Sequence, residues 1–192
     1  MGKKVLVILL CLTIVGSLFA GGRTQAPTAG RDNLNFGLVG EPRTMDPVMV
    51  SDLVSFSIFF QIYDFLIRRE ANDTMQPGLA TRWEYSPDGT QITFHLRRGV
   101  LFHDGTEMKA EDVAFSFNRA IASAFTSGST NMMDRMDVID DYTVRLYLHF
   151  AYGPIEFCIS GAQMGIISKA QYERDQRRRR RYGVAHNRGL PG

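Results

Sequence analysis

From Gly78 to Ala120 the chain reads GLATRWEYSPDGTQITFHLRRGVLFHDGTEMKAEDVAFSFNRA, and its hydrophobic spacing leaves little freedom of fold. Trp83 and Tyr85 share one strand face, and Ile92, Phe94 and Leu96 share a face of the next, as the two-residue period of a strand requires. Between them SPDG sets Pro87 and Gly89 where a type I turn takes them, so the two strands form a hairpin. Ala110, Val113, Ala114, Phe117 and Ile121 then recur at helical spacing, with Glu111 and Asp112 in the first turn, where negative charge favours the helix dipole. A helix with such a stripe packs back on the hairpin.

The flanking sequence alternates strands and helices in the same way, which predicts a mixed α/β chain of hairpins and short helices without internal repeats. Leu34–Gly40 reads as a short strand entering a loop fixed by Pro42 and Pro47. Asp52 to Ile67 is almost wholly apolar and is expected to be a buried helix running into a strand, with its aromatic residues serving packing. MDVIDDYTVRLYLHF predicts a second hairpin turning at Asp140 and Asp141. GPIEFCISG and SKAQYER read as short helices around a strand MGII.

The net charge of +2 conceals an uneven distribution. Of 22 Lys and Arg, three precede Pro27 and seven follow Tyr172, whereas of 20 acids only Glu173 and Asp175 lie outside that middle; the body holds 12 cations against 18 anions, a net of −6. The first end has the order of a secretory signal: Lys3 and Lys4, an apolar run from Val5 to Val15, then small residues with cleavage expected after Ala20 or Gly22. Gly21 and Gly22 occupy the place where a lipid-bearing cysteine would stand, so a lipid anchor is not supported, and residues 23–33 read as a flexible leader. An exported chain without Cys11 keeps a single thiol, Cys158, in an apolar setting; no internal disulfide is expected, and the thiol reads as inert.

Nothing in the spacing argues for catalysis. His103 beside Asp104 stands before Gly105 at a strand-to-helix turn, where structure already explains the pair, and His95 and His149 have no second ligand at metal-binding spacing. Phosphate-loop and nucleophile-elbow motifs are missing. The expectation is a non-enzyme with neither cofactor nor metal.

The run PGLATRWEYSPDGTQITFHLRRGVLFHDGTEMKAEDVAFSFNR resembles the signature segment of the extracytoplasmic solute-binding proteins of ABC importers, the peptide- and nickel-binding family 5. Pro77, Gly78, Leu79, Ala80, Trp83, Glu84, Asp88 and Gly89 carry the first part of that pattern. Phe94, Leu96, Arg97, then Phe102, His103, Asp104 and Gly105, and finally Asp112 and Val113 carry the rest. GEPRTMDP (Gly40–Pro47) is similar to the family's Glu-Pro-x-x-Leu-Asp-Pro loop, with Met45 for Leu, and IYDFLIR to its strand entry, with Asp64 for Glu.

The resemblance covers residues 34–174 and implies the N-terminal part of a two-lobed, class II periplasmic-binding-protein-like fold, comprising part of the first lobe and a small extra domain. It implies a monomer in the periplasm or otherwise outside the cytoplasmic membrane, closing on a peptide or other small solute and docking on an ABC permease. Nucleic acid is not an expected partner. The signature block reads as scaffold, and the ligand contacts that carry over are Glu41, Arg43 and Thr44; for Glu41 the structural reading is a solvated loop acid. Members of that family are considerably longer. With five arginines from Arg177 on, residues 175–192 read as a disordered basic tail or as the product of a frame shift near Asp175, which would leave a truncated binding protein with weak or no ligand binding. The alternatives are a small exported interaction module that uses the basic tail, a non-functional pseudogene product, and a secreted hydrolase, for which the sequence offers no nucleophile or metal cluster.

Overall fold

The structure, a computed structural model, describes residues 37, 38 and 40–181. The expected signal segment and leader and the chain from residue 182 on lie outside the described residues, as does most of the strand expected at Leu34–Gly40; Gly37, Leu38 and Gly40 are not in a strand.

A single turn at Pro47–Met49 precedes helix α1 (Leu53–Ile62), which begins because the Asp52 carboxylate accepts the Ser55 amide at 2.9 Å and the Ser55 hydroxyl at 2.8 Å. Strands β1 (Ile67–Arg69) and β2 (Met75–Pro77) pair as an antiparallel ribbon. Gly78 follows, and a methyl group there would lie 2.3 Å from the Phe65 carbonyl oxygen and 3.0 Å from that of Leu66. Its amide donates to the Leu66 oxygen at 3.1 Å, so the Pro77-Gly78 junction is glycine because two backbones touch.

Strands β3 (Ala80–Tyr85) and β4 (Gln91–Leu96) form the expected hairpin, with Trp83 opposite Phe94. Gly89 at φ 68° closes the turn, and its amide donates to Ser86 at 2.9 Å. The Asp88 carboxylate accepts the Ser86 hydroxyl, the Thr90 amide and the Thr90 hydroxyl at 2.5, 3.1 and 2.7 Å, which holds its pKa down at about 2.

Helix α2 (Ala110–Ile121) spans the predicted stripe, and a one-turn helix α3 (Ser127–Thr130) leads to β5 (Met133–Asp140) and β6 (Thr143–Leu148). The turn of this second hairpin falls at Asp141 and Tyr142, one residue later than expected, because the Asp140 carboxylate accepts the Tyr142 amide at 2.8 Å. The four strands make one antiparallel sheet in the order β3-β4-β6-β5. Ile92, Phe94, Val144 and Leu146 face inward on Val113 and Phe117, all fully buried. The opposite face carries Thr93, Arg145, Arg135 and Tyr147, with the Arg145 guanidinium donating to Thr93 at 3.2 Å and the Arg135 guanidinium 4.1 Å from the Tyr147 ring centre. Beyond β5 the Asn118 side chain stands in for a fifth strand: its amide donates to the Met136 oxygen at 2.8 Å and its oxygen accepts the Met136 amide at 2.9 Å.

Helix α4 (Ile155–Ile159) sends Glu156 to β3, where one carboxylate oxygen accepts the Trp83 indole at 2.7 Å and the Tyr85 hydroxyl at 2.8 Å. Cys158 on the same helix is half-buried, and burial raises its thiol pKa, in keeping with an inert residue.

Three expectations need correction. Met164–Ile167 is not a strand: Ala162–Met164 forms a turn of tight helix, and the following extended residues find isolated partners in place of a ladder. Those partners are the Asp64 oxygen for the Ile166 amide at 3.1 Å and the Ser116 hydroxyl for the Ile167 amide at 3.0 Å. Helix α1 is apolar on all sides but covered on one; Phe59 is buried, whereas Leu53 is 81% and Phe60 53% exposed. Finally, the helix begun by SKAQYER, α5 (Lys169–Arg181), runs straight across the boundary expected after Arg174. Arginine and glutamine are good helix formers, so the arginine run continues the helix although it has no apolar period.

Candidate functional site

A groove of about 1170 Å³ opens between the Arg43–Met49 loop, the Val100–Asp104 corner, the C-terminal end of α2 and helix α5. Its shape depends on how the first of these is held. The Asp46 carboxylate accepts the Val48 amide at 3.2 Å with one oxygen and the Arg119 guanidinium at 2.6 Å with the other. Both partners are largely out of solvent, with side-chain exposures of 16% for Arg119 and 26% for Asp46, so the pair is worth more than a surface ion pair. Arg119 is kept in place by the Tyr172 ring, whose centre lies 4.1 Å from the guanidinium carbon, and by Phe115 at 5.8 Å. On the other side the Tyr63 hydroxyl donates to the Met45 oxygen at 2.6 Å, and the Ser123 hydroxyl donates to the Val48 oxygen at 3.1 Å. Burial, reinforced by the neighbouring Asp46 charge, raises the Tyr63 pKa, so the phenol stays protonated and remains a donor. Gly165 lets the chain pass this tyrosine, since a methyl group there would meet the Tyr63 Cβ at 2.9 Å.

The groove has an apolar floor and a mixed rim. Val48, Leu79, Met108 and Ile166 are buried beneath it, while Met45, Leu101 and Phe125 keep half or more of their surface exposed at its edge. Its acids are largely committed: Asp64 to Arg68 at 2.6 Å, Asp104 to Arg174 at 2.9 Å and to both the amide and hydroxyl of Thr106. Those bonds lower the Asp104 pKa, Thr106 contributing most. Such a lining holds an amphipathic organic ligand by contact and hydrogen bonding. Among the described residues no group of three or more His, Cys, Asp and Glu is placed to hold a metal ion, and His103 and Asp104 serve as rim and turn.

Of the three ligand contacts expected from the sequence, Arg43 and Thr44 line the groove and Glu41 lies outside its lining. Thr44 also shapes the loop, its hydroxyl oxygen accepting the Asp46 amide at 3.0 Å, which leaves the hydroxyl proton free to donate. Sequence reasoning missed Arg119, Tyr63, Tyr172 and Phe125. The first two were visible only as members of apolar or amphipathic runs, because their partners lie far off along the chain. A second cavity, about 560 Å³, sits at the turn of the second hairpin between His95, Arg98 and Tyr142 and is a polar recess away from this groove.

The family profile described as bacterial extracellular solute-binding proteins, family 5 Middle, matches residues 74–182, more than half of the 192. The chain belongs to this family. The match ends at residue 182 and so takes in the arginine block. The dipeptide-binding protein of Escherichia coli (strain K12) is 37% identical over 107 residues, covering 50% of this chain and 19% of that protein. Heme-binding protein A of Haemophilus influenzae (strain ATCC 51907 / DSM 11121 / KW20 / Rd) is 32% identical over 107 residues, 52% of this chain and 20% of its own length. Among solved structures, the ABC transporter-associated periplasmic binding protein DppA from Helicobacter pylori, in complex with the peptide STSA, superposes with a TM-score of 0.65 at 28% identity, covering 76% of this chain and 32% of that one. The expected mixed α/β, periplasmic-binding-protein-like fold is borne out. The chain spans about a third or less of the length of each of these relatives.

Proposed function

We propose that this chain supplies part of the ligand-binding wall of an ABC importer's solute-binding component, which captures peptides outside the cytoplasmic membrane and delivers them to a permease. In this reading it acts as a monomer, without catalysis and without a cofactor. The observation that carries the reading is the groove itself, a long apolar floor with a rigidly clasped loop at its edge, in a family whose relatives include dipeptide-binding proteins. Arg43 and the free hydroxyl proton of Thr44 are the contacts we assign to the ligand, together with Glu41, which is exposed and lies outside the groove's lining. A groove open to solvent leaves much of a ligand in water, so binding by these residues alone is weak.

Amide shifts in NMR spectra of the full chain, titrated with mixed di- and tripeptides, then with haem and with nickel ion, test this. Peptides are expected to move Thr44, Val48 and the groove-facing amides of α5, and Arg43→Ala to abolish the shifts. Haem or nickel moving those amides while peptides leave them still would reassign the ligand; silence toward all three would remove the reading.

A further inference from the structure

Helix α5 is fixed in its first half and bare in its second. The Lys169 amide donates to Asp112 at 2.9 Å, the Lys169 ammonium pairs with Glu111 at 3.2 Å, Tyr172 stacks on Arg119, and Arg174 reaches Asp104 at 2.9 Å. Beyond Arg174 the ion pair found is internal, Arg177 with Glu173 at 3.6 Å. Arg178, Arg180 and Arg181 are exposed and have no carboxylate partner among the described residues. Successive helical residues turn by about 100°, so five consecutive arginines ring the helix as a charged tip.

Capping of the helix dipole accounts for one or two of these cations, not five, because the effect is confined to the last turn. Arg177 and Arg181, four residues apart, repel each other, as do Arg177 and Arg180. A tip built this way is stabilised by external anions. Guanidinium groups bind phosphate oxygens bidentately, and no aromatic residue is interleaved among Arg177–Arg181 to stack on a base. The family is described as extracellular, and the H. pylori relative is a periplasmic protein, a setting in which a bilayer offers an extended phosphate-rich surface.

We propose that the arginine end of α5 docks on the anionic phospholipid headgroups of a bilayer surface. The anchored first half then holds the rim of the groove at a set distance from the membrane. The proposal uses the family's extracellular setting and not the identity of the groove's ligand, so the NMR titration above and the experiment below fail separately.

The experiment is co-sedimentation of the full chain with phosphatidylethanolamine–phosphatidylglycerol vesicles against phosphatidylcholine vesicles, scored as the ratio of the two partition coefficients, so that any insertion by the apolar Val5–Val15 run cancels. Each arginine near an anionic surface contributes about a fivefold factor, so Arg178→Gln, Arg180→Gln and Arg181→Gln together lower the ratio by about a hundredfold. Salt at about 1 M abolishes it in the unmodified chain. The same number of charges removed at exposed Arg68, Arg82 and Arg135 leaves it unchanged. Equal partition on both vesicles, an equal fall in the control variant, or tighter binding to a single-stranded RNA than to the anionic vesicles would each overturn the proposal, the last in favour of nucleic acid.

Discussion

The sheet with α2 and the groove above it are built on opposite principles. In the sheet, two of the three pairings join near neighbours in sequence: β3 pairs with β4 through five residues and β5 with β6 through two, the two hairpins meet where β4 pairs with β6, and α2 covers them with an apolar stripe. In the groove the decisive contacts join residues far apart in the chain. Asp46 and Arg119 are 73 positions apart, and Tyr63 reaches back 18 positions to Met45. The sheet rests on non-directional burial, which tolerates small displacements. The groove loop rests on a few charged or phenolic hydrogen bonds, each of which has one productive geometry.

If that contrast is right, damage to the sheet spreads to the groove, while damage to the groove stays local. Phe117→Ala removes a fully buried ring from the interface of α2 and the sheet and is expected to destabilise the whole unit by about 3–5 kcal/mol, read by urea unfolding with Trp83 fluorescence as the probe. Arg119→Leu leaves Asp46 without its cation and is expected to remove about 1.5–3 kcal/mol. Its signature is faster hydrogen exchange at Val48 and Met49 with the Phe94 amide unchanged, and equal loss of protection in the sheet would break the comparison. Gly78→Ala forces a methyl group onto the Phe65 carbonyl and is expected to destabilise by about 1–3 kcal/mol, with exchange rising first at the β2–β3 junction.

The smallest effect is electrostatic and confined to the first hairpin. The folded Asp88 pKa is lowered to about 2, so its contribution is fully present above the unfolded value of about 3.9 and is lost as pH falls through 2. Melting temperatures between those pH values should therefore fall less steeply in Asp88→Asn than in the unmodified chain, and identical slopes would remove the turn from the account of acid sensitivity.

The same contrast explains what could be read from the sequence. Ile92, Phe94 and Leu96, and Val113 and Phe117, declare their partners by period alone, since a strand and a helix built from local runs have one face to bury. Gly78 was legible as part of a motif, but its reason, a carbonyl 2.3 Å from where Cβ would stand, required coordinates. Periodicity misjudged α1 and α5 for related reasons. An almost wholly apolar helix does not reveal which side is covered, so the run predicts a buried helix although Leu53 and Phe60 lie exposed. An all-polar helix shows no period at all, so Arg177–Arg181 read as tail. The Asp46–Arg119 clasp was out of reach because a loop acid and a helix arginine 73 residues apart leave no local pattern.

The Asn118 amide, by taking up both main-chain groups of Met136, makes the two borders of the sheet unequal. One border is plugged by a side chain; the other ends at β3 with no strand beyond it among the described residues. Addition of another polypeptide to this sheet is thereby favoured at the β3 border over the Met136 stretch of β5.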